Sequence, residues 1–273
     1  MVQAMEMASV VEAVDADAPI EDVALAIALD EYPELDASRY LEILDVWADQ
    51  CRVAVEAGRD LPAKILAINR LVYDELGFRG NAEDYYDPRN SFLSDVVERR
   101  RGIPISLAVV LMALGRRLDV PIEGVGFPGH FLVRAGGEGG FFLDPFNRGQ
   151  VLERDHLLEL AKGVTGSPTL AEGQLLPVDT RVMAIRMLFN LQQIYERRAA
   201  SAKALVVCDR LCDLTDAPFH RRDRGRHALA LGAHAAARDD FLFYLSEARD
   251  APDRELVQEW LEQAEGADAP LLN

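Results

Sequence analysis

Nowhere in this 273-residue chain does an apolar run approach the roughly 18 residues of a membrane-spanning helix, so no transmembrane segment and no membrane partner are expected. The opening stretch MVQAMEMASVVEAVDADAP has no Lys or Arg ahead of an apolar block, and it does not read as a secretory leader. Cysteine is scarce and odd in number: Cys51, Cys208 and Cys212 have no metal-type spacing. That argues against a disulfide framework and for a reduced, cytoplasmic protein, with Cys208 and Cys212 as small apolar residues of a helix. Positive charge is scarce at one end. Residues 1–60 hold 15 acids and 3 bases, against 16 and 13 over 61–179 and 15 and 13 over 180–273, so most of the net −17 is N-terminal. Nucleic acid and anionic membranes need a positive face, and neither is the expected main partner. The basic cluster HRRDRGRH at 220–227 runs against this trend and reads as the solvated side of a helix. His220, His227 and His234 recur every seven residues, as if on one helical face, but the histidines make no compact ligand set. No metal and no cofactor are expected.

What is present is apolar bulk, 49% of residues, enough for a large core. Residues 1–18 are small, acidic and aperiodic, and disorder is expected there. Helical periodicity follows in IEDVALAIALDEYPELD, broken by Pro33, then in ASRYLEILDVWADQCRVAV and in LPAKILAINRLVYDELGF, with Gly77 as a stop. A polar, aromatic loop, RGNAEDYYDPRNS, precedes a short helix, FLSDVVERRRG, whose three arginines suit a helix C-terminus. IPISLAVVLMALGRRLDVP is a strongly apolar helix with Pro104 at its first position, where a missing N–H costs nothing. Three short β runs come next, IEGVGF, HFLVRA and FFLDPF, the last two joined by the turn GGEGG, and QVLERDHLLELAKG returns to helix. The class is α+β, helices plus a small antiparallel sheet.

From Thr180 the chain is all helix and repeats. Leu191, Tyr195, Ala204, Cys208 and Leu211 form one set, and Gly225, Ala228, Ala237, Phe241 and Tyr244 form the other, the last four at an offset of 33. Pro218 and Pro252 close the units 34 apart, and DRELVQEWLEQAEG caps them. Small residues at fixed places with this period resemble tetratricopeptide repeats. The expected organisation is an acidic N-terminus over 1–18, an α+β domain over 19–165, a linker over 166–179 and helical repeats over 180–266.

The chemistry sits in the hairpin. A five-residue turn pairs Ala135 with Phe141 and Leu132 with Asp144, which puts His130 diagonal to Asp144 on one face, with Cβ atoms about 7–8 Å apart. In such a pair the acid fixes the imidazole tautomer and the other ring nitrogen is a base. A register slip of one residue would separate them. The helix opening at Gly102 would supply a third group, and its N-terminus is electropositive. Ser106, in its first turn, is the available hydroxyl, although position 106 points about 200° around the helix from 104 at 100° per residue, and such hydroxyls often cap their own helix.

The stretch RRRGIPISLAVVLMALGRRLDVPIEGVGFPGHFLVR…FFLDPF, with GNAEDYYDPRNSFL and ALDEYPELD before it, resembles the transglutaminase-like (papain-like) core in its bacterial SirB-type branch, which carries tetratricopeptide repeats behind the core. The likeness spans about Ile20 to Gly266. In active members of that superfamily a cysteine opens the central helix, and a histidine and an aspartate follow on neighbouring strands. The resemblance implies His130 and Asp144 for the latter two and puts Pro104, which has no nucleophilic atom, at the cysteine's place.

Two functions compete. One is a non-catalytic or regulatory protein whose degenerate core offers a peptide cleft and whose repeats offer a groove for a protein partner. Asn90, Arg101, Tyr85 and Tyr86, with Arg99 and Arg100, would line such a cleft, since arginine beside exposed aromatics suits a carboxylate or peptide group. The other is an amide or ester hydrolase or acyl transferase using Ser106, His130 and Asp144. A nucleic-acid site at HRRDRGRH is the weakest reading.

Overall fold

The computed structural model describes residues 8–167, 169–171 and 173–267. The chain divides into two units, residues 1–187 and 188–273. In the first unit α1 (Val10–Asp15), α2 (Ile20–Glu31), α3 (Ala37–Ala57), α4 (Leu61–Asn69) and α5 (Leu93–Arg99) precede the apolar helix α6 (Pro104–Arg117). Two-residue strands β1 (Arg79–Gly80) and β2 (Arg101–Gly102) pair in parallel before it. A four-stranded antiparallel meander follows: β3 (Ile122–Val125), β4 (Leu132–Ala135), β5 (Phe141–Asp144) and β6 (Gln150–Leu152), then α7 (Arg154–Thr165). Helix α8 (Thr180–Arg197) carries the unit boundary. The second unit continues with α9 (Ser201–Leu214), α10 (Pro218–Ala230), α11 (His234–Glu247) and α12 (Arg254–Ala267). Among the described residues no helix is long and apolar enough to cross a membrane.

The interior of the first unit is built on α2 and α6. Both bury residues around most of their circumference, Val23 to Ala28 on α2 and Ile105 to Leu111 on α6, so neither shows a sharp amphipathic stripe. Glu21 is buried on α2, 1% exposed, and Arg116 and Arg117 of α6 hold its Oε1 at 2.5 Å each. A buried carboxylate persists only when paired in this way. The sheet closes a second cluster of Val125, Phe127, Leu132, Leu152, Leu157 and Ala161.

Several expectations need correction. Disorder through residue 18 does not hold over α1: Ser9 and Glu12 form a reciprocal capping box, and Val10, Ala13 and Val14 are buried. Residues 1–7 of that stretch lie outside the described residues. The third helix does not run straight to Gly77 but passes into a π turn over Arg70–Glu75, as Asn69 turns its amide to the Gly149 carbonyl at 2.9 Å. The QVL segment is strand β6, too short to show a period of two. The three arginines do not share a helix end. Arg99 is the last helical residue, Arg100 is left-handed at φ 57° with its guanidinium 4.3 Å from the Trp47 ring centroid, and Arg101 lies in β2.

In the second unit all ten repeat positions, Leu191 to Leu211 and Gly225 to Tyr244, are buried. Gly225 is required by close packing, since a Cβ there would meet the Phe241 ring at 2.8 Å. The HRRDRGRH cluster is not a solvated basic face. His220, Asp223, Gly225 and His227 are buried, and the arginines pair inward: Arg221 and Arg224 with Asp240, Arg222 with Asp223 and Asp253, Arg226 with Glu196. Each arginine of the cluster thus has a carboxylate partner, with Arg221 and Arg226 still 40% and 39% exposed. Nor do the three histidines share one helix, because α10 ends at Ala230 and His234 opens α11.

Burial pushes the His220 and His227 imidazoles below their ordinary 6.5, and for His227 it outweighs the Glu196 carboxylate 3.5 Å away. The unfolded chain therefore takes up these protons first as pH falls. Stability of the helical unit is full above pH 6.5 and declines below it, through the depressed folded values. Urea midpoints followed by circular dichroism from pH 7.5 to 5.5 check this, and His220→Gln with His227→Gln flattens the slope.

Candidate functional site

The β4–β5 hairpin places the histidine and the aspartate. Its register is Ala135↔Phe141, Arg134↔Phe142 and Val133↔Leu143, as the GGEGG turn predicts. His130 Nε2 meets Asp144 Oδ1 at 2.9 Å. Asp144 is 2% exposed and also accepts from Phe146 N at 2.9 Å, Asn147 N at 3.2 Å and Asn147 Nδ2 at 2.7 Å. Burial pushes its carboxyl up. The hydrogen bonds from His130 and Asn147 outweigh that and hold it below the usual carboxylate range. An ionised carboxylate only accepts, so the proton lies on Nε2, and a neutral ring keeps its lone pair on Nδ1. No hydrogen bond to Nδ1 is present among the described residues.

Around this pair lies the loop between β1 and α5. Asn81 and Asn90 hold it. Asn81 Nδ2 donates to Asn90 Oδ1 at 2.9 Å, and Asn90 Nδ2 donates to the Asp84 and Tyr85 carbonyls at 2.7 and 3.2 Å. That fixes Tyr85 edge-on to Phe146, centroids 6.0 Å apart, and Phe146 edge-on to the His130 ring at 6.4 Å. Gly80 lets Phe146 in, since a Cβ there would touch the ring at 2.6 Å. Tyr85 and Tyr86 stay part-exposed over the imidazole side of the hairpin.

The remaining residues proposed for the cleft are used elsewhere. Asn90 is 0% exposed with its amide fully bonded, so it shapes the loop and lines nothing. Arg101 pairs with Glu83 at 3.1 Å, Arg99 with Asp87 at 2.9 Å, and Arg100 stacks inside the fold. Ser106 is 1% exposed. Its hydroxyl donates to Asn90 O at 2.6 Å, also lies 3.1 Å from Ile103 O, and accepts from Ile103 N at 3.1 Å. It ties the start of α6 to the loop, and no bond joins it to His130. Ser106→Ala removes the hydroxyl bridge and leaves the Ile103 N–H and the Asn90 carbonyl only their long mutual contact of 3.4 Å, and should cost about 1 kcal/mol in a urea titration.

One functional candidate escaped the sequence. Arg186 of α8 donates through Nη2 to Phe127 O at 2.8 Å and to His130 O, and its guanidinium sits 5.4 Å from the Phe131 centroid. It thus clasps the turn that presents the imidazole. No carboxylate lies within ion-pair distance of it among the described residues, and burial lowers its pKa. The only signal was a cation inside the apolar run VMAIRMLF.

Comparison with known proteins settles the kinship. A family profile described as transglutaminase-like superfamily matches residues 38–189. A "UPF0162 protein" of Xylella fastidiosa (strain 9a5c) is 40% identical over 237 residues, covering 85% of this chain and 84% of its own. The chain belongs to UPF0162, a bacterial family of transglutaminase-like proteins. Another UPF0162 protein, from Vibrio cholerae, is 32% identical over 232 residues, 84% of this chain and 83% of its own. Human "F-box only protein 21" is 40% identical over 103 residues, 34% of this chain and 16% of its own. In this UPF0162 chain Pro104 is the first residue of α6, while Cys51 lies on α3 and Cys208 and Cys212 on α9. Burial raises all three thiols, Cys212 to about 11, which is the opposite of what a nucleophilic thiolate needs.

Proposed function

We propose that the transglutaminase-like unit is a non-covalent peptide cleft and that the chain works as a regulatory, protein-binding scaffold of the SirB type in the cytoplasm. In this reading residues 19–165 form the cleft-bearing domain, 166–179 link it, and 180–266 are tetratricopeptide-like repeats that offer a second surface to a protein partner. Burial of all ten repeat positions supports the repeats. The observation that carries the cleft reading is the fate of Ser106. Ser106, the hydroxyl in the first turn of α6, is spent on Asn90 and Ile103, and among the described residues no nucleophile is bonded to the His130–Asp144 pair. Tyr85 and Tyr86 offer aromatic edges, and His130 Nδ1 offers an acceptor for a peptide N–H. The competing reading, a hydrolase or acyl transferase on Ser106, His130 and Asp144, would require the helix start to reopen.

A displayed library of random peptides tests this on the full chain. Enriched peptides are expected to bind reversibly, to emerge with unchanged mass, and to bind at least about tenfold more weakly to Tyr85→Ala/Tyr86→Ala, a loss of about 1.4 kcal/mol. Cleaved or acylated peptides would refute the scaffold. So would enrichment indifferent to the tyrosines and to loss of His130.

A further inference from the structure

Arg186 carries a positive charge that its structural contacts do not require. Its Nη2 donates to the Phe127 and His130 carbonyls. A neutral amide does the same work nearby, where Asn90 Nδ2 donates to the Asp84 and Tyr85 carbonyls. The clasp needs donors, and the charge is surplus to it. Other part-buried arginines of this unit meet carboxylates: Arg117 holds Glu21 and Asp45, and Arg99 holds Asp87. Burial pushes the Arg117 guanidinium down, and the bonds and charges of Asp45 and Glu21 outweigh it. For Arg186 burial prevails, with only the Tyr85 phenol set against it. The Phe131 ring face, 5.4 Å from the guanidinium, supplies no opposite charge. A buried cation is ordinarily paired, so one without an anion marks a place for an anion.

The groups around it are also unfilled. Arg186 Nη1 and Nε make no hydrogen bond among the described residues. Neither does the Tyr85 hydroxyl, on a side chain 38% exposed, nor His130 Nδ1, whose lone pair the ionised Asp144 preserves. Phe146 ties the two rings together, edge-on to Tyr85 at 6.0 Å and to His130 at 6.4 Å. Arg186 is bound to the backbone of His130 itself, and its charge reaches the Tyr85 phenol. All of these residues belong to the first unit. A cation with open N–H groups, a hydroxyl donor and a ring acceptor thus surround one imidazole. That set matches a carboxylate and an amide N–H beside it. The last residue of a peptide carries both on a single Cα.

We propose, on the peptide-cleft reading, that Arg186 is the counter-charge for a carboxylate of the bound peptide, from its C-terminus or from an acidic side chain. Arg186 takes the carboxylate through its unbonded N–H groups, the Tyr85 hydroxyl donates to it, and His130 Nδ1 accepts the neighbouring N–H.

Calorimetry on the full chain tests it, with the His130 imidazole resonance followed by NMR and assigned by its loss in His130→Gln. The probes are N-acetylated alanyl-alanyl-phenylalanine as free acid and as amide, the same amide ending in glutamate, phenylpropanoate, and inorganic phosphate. At least one peptide carboxylate should bind below about 1 mM and shift the His130 signal, and the uncharged amide should bind at least about tenfold more weakly. Arg186→Gln keeps an amide donor for the two carbonyls and should lose about tenfold for the carboxylate, with little change for the amide. Tyr85→Phe should lose less in the same direction. With the acid–amide comparison on the parent it decides the matter if Arg186→Gln does not fold. Tighter free acid assigns the terminus, and tighter glutamate amide assigns the side chain. Acid and amide of equal affinity, undiminished carboxylate binding in a folded Arg186→Gln, binding without a shift at His130, tighter phosphate, or no binding would overturn the proposal. Equal acid and amide binding that still depends on Tyr85 would spare the peptide cleft and remove only the carboxylate. Phenylpropanoate bound as tightly as the peptide acid would keep the carboxylate site and refute the peptide cleft.

Discussion

Asp144→Ala should lower the stability of the transglutaminase-like unit by about 3–5 kcal/mol, among the larger losses available to one substitution. The carboxylate is 2% exposed and accepts from four donors, on His130, on Phe146 and twice on Asn147. Truncation leaves the part-buried donors of His130 and Phe146 without their acceptor, while exposed Asn147 can turn to water, and it frees the ring from its tautomeric restraint. Asp144→Asn should cost less, because its side-chain carbonyl still accepts from the backbone. The loss should depend on pH with a definite sign. The folded pKa of Asp144 is depressed, so its stabilisation is present above the ordinary 3.8 and fades as pH falls through the lower folded value. Urea titrations of parent and variants at pH 7 and toward pH 3 should converge at the acid end. A variant as stable as the parent at pH 7 would mean that Asp144 is not the anchor of the hairpin.

Asn90→Ala should cost about 2–4 kcal/mol and loosen the tyrosine loop, since each buried polar group left without a partner costs about 1–3 kcal/mol. The side chain donates to two carbonyls and accepts from Asn81, and its own carbonyl takes the Ser106 hydroxyl. The expected signature is local as well as global. Amide exchange over residues 81–92 should rise well beyond that of the sheet, and the tyrosine fluorescence of the loop should become more accessible to quencher. Unchanged exchange in a destabilised variant would confine Asn90 to packing and remove it from the architecture of the proposed cleft.

What could be read without coordinates was whatever depends on near neighbours. The hairpin register follows from five glycine-rich turn residues, and the His130–Asp144 contact follows from the register. Pro104 at the first helical position follows from the missing N–H of proline. What could not be read depends on partners distant in the chain. Arg100 looks like one more helix-end cation until Trp47 and Phe78 are placed beside it. The tail arginines look solvated until Asp240 and Asp253 arrive from later segments. Asn90 looks like a pocket residue because asparagine is polar, yet Asn81 and two carbonyls of its own loop consume it. Arg186 lies 56 residues from the His130 carbonyl it holds, and no local pattern signals that bond.

The central claim is that the imidazole–carboxylate pair has no nucleophile to serve. Intact-mass spectrometry of the full chain after exposure to a fluorophosphonate and, separately, to iodoacetamide tests it most directly. The account predicts no adduct at Ser106 and no rapid adduct at any of the three cysteines in the native state. A fluorophosphonate adduct on Ser106 that disappears in His130→Ala would contradict it and make the protein a serine-dependent acyl-transfer enzyme.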